Sequence, residues 1–91
     1  MKWYEDLFVG ERVKEHAQQI REKMEAGEDP GHVWVIMPAA NGKDLFDIRR
    51  ASDLHKEYFR GKDPLIIGLA KNRDEAIMMI PQILAKQAGV D

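Results

Sequence analysis

Residues 64 to 89, PLIIGLAKNRDEAIMMIPQILAKQAG, join an unbroken apolar run to a turn and a long segment of helical period. They constrain the chain more than any other stretch. Leu65, Ile66, Ile67, Gly68, Leu69 and Ala70 contain no polar side chain, which suits a strand covered on both faces. Asn72 follows as a natural N-cap, because its side-chain oxygen can accept a first-turn N–H, and Glu75 stands three residues on, where a capping box places a carboxylate. A helix from about Arg73 is predicted, with Ala76, Ile77, Ile80, Ile83, Leu84 and Ala88 as its buried stripe and Gly89 as its stop. Pro81 removes one helical hydrogen bond, so a kink is expected there and not two helices, since the stripe keeps its phase across it.

A chain of 91 residues with 44% hydrophobic and 33% charged side chains is expected to form one domain, residues 1 to 91, around a modest core. A net charge of −2 with both signs interspersed argues against a nucleic-acid partner and against a membrane-surface module. The absence of cysteine excludes disulfides and thiolate zinc sites and fits a reducing, cytoplasmic location. No run approaches the ~20 apolar residues that span a bilayer, and the apolar run near the start is too short for a signal peptide.

Residues 1 to 10 concentrate Trp3, Tyr4, Leu7, Phe8 and Val9. The Trp3/Leu7 and Tyr4/Phe8 spacings fit a helical turn, either docked on the chain's own core or presented to a partner. Residues 11 to 26 form a second helical pattern with a narrow stripe of Val13, Ala17, Ile20 and Met24, flanked by His16. Residues 32 to 40 and 43 to 50 read as a hairpin about Asn41-Gly42, the strongest short turn signal in the chain. A two-residue turn there pairs Met37 with Phe46, Val35 with Ile48 and Trp34 with Arg49, and gathers Val33, Val35, Met37, Phe46 and Ile48 on one core face. Trp34 and Arg49 would then form a cation–π pair. Ser52 can cap a short helix over residues 53 to 59.

The predicted class is α+β, in the order α-β-β-α-β-α: three helices on a three-stranded mixed sheet of order 2-1-3, built from an antiparallel hairpin and one right-handed parallel crossover. Phe46, Ile48, Val35, Ile67, Ile77 and Ile80 are the expected main core.

The segments NGKDLFDI, KEYF and LIIGLAKNRDEA resemble a small family of uncharacterised proteins from Gram-positive anaerobic bacteria. In that family's pattern a hairpin precedes Leu-x-Asp-Ile, a tyrosine-bearing helix follows, and Ile-Gly-x-Ala-Lys leads into a helix with Glu-Ala. Leu45, Asp47, Ile48, Tyr58, Gly68, Ala70, Lys71, Glu75 and Ala76 match it, while Phe59 stands where a second tyrosine is usual. The resemblance implies no activity.

Catalytic signatures are missing. His16, His32 and His55 lie in separate segments without ligand-like spacing, so no metal site is expected. Ser52 is the only serine, there is no threonine, and capping accounts for Ser52. Neither a phosphate-binding loop nor a nucleophile elbow occurs, and no cofactor is called for.

Topology suggests one constellation. If the second and third strands are parallel, Arg50, Ser52, Lys71, Asn72 and Arg73 meet at one sheet edge beside two helix N-termini, a candidate anion site. The expected function is a non-enzymatic protein-interaction domain, with a homodimer in view. Its candidate surface is Trp3, Tyr4, Phe8, Trp34, Ile36, Leu45 and Met78. The alternative is a binder of a small phosphate- or carboxylate-bearing ligand at that edge, or a minimal enzyme acting on one.

Overall fold

The computed structural model describes residues 1–39, 45–55 and 63–89. Among them are β1 (Lys2–Val9), α1 (Ala17–Glu25), β2 (Trp34–Pro38), β3 (Phe46–Arg50), β4 (Leu65–Ala70) and α2 (Arg73–Gln87), with short 3-10 segments at Lys14–His16 and Ala51–His55. One mixed sheet runs in the order β1-β4-β2-β3, with β1 parallel to β4 and β2 antiparallel to both of its neighbours. The α+β class, the mixed sheet and the position of β2 between β3 and β4 agree with expectation. The element count does not, because the described residues hold four strands and two α-helices in place of three and three.

The extra strand is β1, where a helical turn was expected. A spacing of four residues puts side chains on one face of a helix, and equally on one face of a strand, whose period is two. Trp3, Leu7 and Val9 accordingly pack toward α1, whereas Tyr4 and Phe8 pack toward α2 and stack with ring centroids 6.2 Å apart. Between Trp3 and Phe8 the pairing with β4 shifts register, and the exposed Glu5 and Asp6 fall in that irregular stretch. Charges there discourage pairing of an edge strand with another chain.

The hairpin register also differs. Trp34 faces Arg50, Ile36 faces Ile48 and Pro38 faces Phe46, so each partner lies one residue beyond its expected place. The residues from 39 to 45 between the last pair are odd in number, which a two-residue turn cannot give. Asn41-Gly42 itself lies outside the described residues, as do positions 56 to 59 of the expected crossover helix; positions 53 to 55 belong to the 3-10 segment. The consequence is two cores. Val33, Val35, Met37, Ile66 and Leu69 face α1, with Ala51 and Leu54 of the 3-10 segment beside them, while Ile36, Ile67 and Ala70 face α2 together with the partly buried Phe46 and Ile48. Because helices cover both faces, hydrophobic pattern alone does not penalise the one-residue slip. The expected cation–π pair forms with Arg50, not Arg49, its guanidinium carbon 5.5 Å from the Trp34 ring centroid. Arg49 turns to the other face and pairs with Asp47 at 2.6 Å.

Helix α2 runs unbroken through Pro81. Pro81 and Ile77 are both exposed, so the carbonyl that proline deprives of a partner lies toward water. The helix is rotated from the expected wheel: Ala76, Met79 and Ile83 are buried, Ile80 is partly so, and Ile77 is 41% exposed and leaves the expected core. With Ile77, Met78, Met79, Ile80, Ile83 and Leu84 in one helix, apolar residues occur nearly all round it, and periodicity cannot choose the inner face.

Candidate functional site

One edge of the sheet gathers the chain's polar termini. The C-terminal ends of β1, β3 and β4 lie there with the N-terminal end of β2. Asn72, in extended backbone, caps α2 by accepting the Glu75 N–H at 2.8 Å. The Glu75 carboxylate does not close a standard capping box on the N-cap residue. It accepts the Lys71 N–H at 2.8 Å and the Arg12 N–H at 3.2 Å, tying the start of α2 to the turn that leaves β1. Gly10 makes this possible, since a methyl group on it would run into that carboxylate. A carboxylate of the chain itself thus occupies the N-terminus of α2, where a bound anion was expected to sit.

The five expected anion-site residues do not share one hollow. Arg50 and Ser52 line a depression of about 410 Å³ with Asp29, His32 and Trp34. Lys71 lines another, of about 330 Å³, between the β1–α1 turn, α1 and the start of β2. Asn72 is engaged as the cap, and Arg73 is exposed on the first turn of α2, lining neither hollow. His32 lines both.

Arg12, His16 and Lys23 join Lys71 and His32 around the second hollow, and sequence reasoning placed none of these three at the sheet edge. Their signal was the same misread segment. Once β1 is a strand parallel to β4, residues 10 to 13 must emerge beside Lys71, and the spacing of His16, Gln19 and Lys23 sets them on one face of the helical stretch above it.

The expected interaction surface divides as well. Trp3, Tyr4, Phe8 and Trp34 are half-buried. The Trp3 ring lies against the Arg21 guanidinium, 4.8 Å from its centroid. Ile36 is fully buried at the centre of the sheet and belongs to no surface, because the observed register turns it onto Ile48 and Gly68. Leu45 and Met78 are exposed, at 70% and 76%.

Among the described residues no three His, Asp or Glu side chains are grouped to hold a metal ion, and no helix is long and apolar enough to cross a membrane. Comparison of the chain with known protein families, curated proteins and solved structures returns no match.

Proposed function

We propose that this chain is a non-enzymatic interaction domain that works as a homodimer, joined through the outer face of α2. One observation carries the reading. Of the five large hydrophobic side chains exposed among the described residues, three, Ile77, Met78 and Leu84, stand on this helix. With the exposed Pro81 and Ala88 they make a stripe opposite the buried Ala76, Met79 and Ile83, and no charged side chain interrupts it between Ile77 and Ala88. A helix apolar on two sides is normally covered on both.

The central part of the stripe is also symmetric about Pro81, with Met78 and Leu84 three residues to either side and Ile77 and Ala85 four, while Ala88 has Asp74 as its counterpart. Such a pattern is self-complementary. Two copies related by a two-fold axis through Pro81 would set Met78 of each on Leu84 of the other in an isologous, antiparallel helix pair.

Sedimentation of the whole chain at micromolar concentrations is expected to give twice the monomer mass, and Met78→Glu to give a monomer whose circular dichroism is unchanged. A charge at the middle of an apolar interface loses its water without gaining a partner. A strictly monomeric parent, or a Met78→Glu variant that remains dimeric, would contradict the proposal.

A further inference from the structure

The hollow beside Lys71 is independent of the α2 face, since it lies on the α1 side of the sheet. We infer that it is a binding site for a small phosphate monoester, a dianionic head with a compact apolar substituent. Three cationic side chains, Arg12, Lys23 and Lys71, reach it from three separate elements, and His16 and His32 complete its polar wall. No acidic residue lines it, although the chain as a whole holds 16 acidic against 14 basic residues. The concentration of positive charge is therefore local and runs against the average.

Among the described residues none of Arg12, Lys23 and Lys71 forms an ion pair with a carboxylate, whereas Lys2 and Arg49 do. The Glu75 carboxylate has its two oxygens bonded to the backbone N–H groups of Lys71 and Arg12. A dianion placed in the hollow would accept charge-assisted hydrogen bonds from cationic side chains that otherwise face water.

Val13, Ile20, Val33 and Pro30 supply an apolar floor, and Val13, Ile20 and Val33 are themselves buried and fixed by the core. A volume of about 330 Å³ lies near the lower end of the ~300–1,000 Å³ typical of small-molecule sites. It suits a phosphate carrying one small apolar group better than an extended ligand. A phosphate monoester brings a charge of about −1.5 to −2 near neutral pH, matching the wall better than a monocarboxylate.

The test is an amide chemical-shift titration of the whole chain at low ionic strength, with phenyl phosphate, inorganic phosphate and benzoate as probes. Saturable shifts are expected at Arg12, His16, Lys23, His32 and Lys71, tightest for phenyl phosphate, and weakening as salt is added. Lys23 and Lys71 are exposed and support no core, so a Lys23→Glu, Lys71→Glu double variant should keep its circular dichroism yet lose about tenfold or more in affinity. Should that variant not fold, Lys23→Gln with Lys71→Gln is expected to show the same loss in weaker form. Bilayer vesicles bearing phosphatidic acid should leave the protein in the supernatant. Absence of saturable shifts, shifts centred on Arg50 and Ser52, unchanged affinity in the variants, equal response to benzoate, or pelleting with the vesicles would each overturn the assignment.

Discussion

Ile36→Ala is expected to lower the stability of the fold by about 2–5 kcal/mol, the range for removing a buried aliphatic side chain whose space cannot close. Ile36 is fully buried in β2, pairs across the sheet with Ile48 on one side and Gly68 on the other, and belongs to the cluster under α2. Gly68 marks how tight the site is. A Cβ there would stand 3.1 Å from the Ile36 Cδ1, so the isoleucine side chain already fills the space that glycine leaves. Neither β2 nor β4 can move inward to refill a cavity without breaking the ladder between them. A domain of this length has roughly 5–14 kcal/mol in hand, so the loss is a large share of the total. Urea denaturation measures it. A midpoint unchanged from the parent would mean that Ile36 is not part of the packed core.

Glu75→Ala is expected to lower stability by about 1.5–3 kcal/mol, the range for hydrogen bonds to a charged group. The carboxylate holds two backbone N–H groups on different segments, at Lys71 and Arg12, while its own N–H is capped by Asn72. Removing it frees both donors and releases the turn after β1 from the start of α2. Gly10→Ala should produce most of the same loss by a different route, because the added methyl group displaces the carboxylate. The two changes act on one contact, so they should not add: Gly10→Ala should do little in a chain that already carries Glu75→Ala. Full additivity in urea denaturation of the four proteins would show that Gly10 and Glu75 stabilise the fold independently.

How much of this was legible in the sequence depends on what each segment had to decide. Leu65 to Ala70 suits a covered strand, and Asn72 with Glu75 suits a helix start, so β4 and the start of α2 were readable from residue type. The inner order β3-β2-β4 followed from the hairpin signal and the crossover. Ambiguity entered where one spacing serves two structures. Trp3/Leu7 and Tyr4/Phe8, four apart, fit a helix turn and a strand face equally, and the loss of β1 at that step hid the second edge of the sheet. Register was lost for a related reason: with Val35 and Ile36 both destined for burial, no polar residue marked which side of β2 faced out. The candidate site inherited both errors. The sheet edge was found, but the place of Arg12, His16 and Lys23 on it depends on β1, and nothing in the spacing of Glu75 foretold that its carboxylate would reach beyond its own helix to Arg12.

The proposed dimer through α2 can be tested at a single residue pair, because the chain contains no cysteine. Two-fold symmetry about Pro81 brings residue 81 of each copy together, and a disulfide forms only where Cα atoms approach within about 4.4–6.8 Å. Pro81→Cys under mild oxidation is therefore predicted to give a covalent dimer in high yield, while Asp6→Cys, on the exposed edge strand β1, stays monomeric on a non-reducing gel. A chain that cross-links through Asp6→Cys and not through Pro81→Cys would show that two copies meet at the sheet edge and that the outer face of α2 is not the interface.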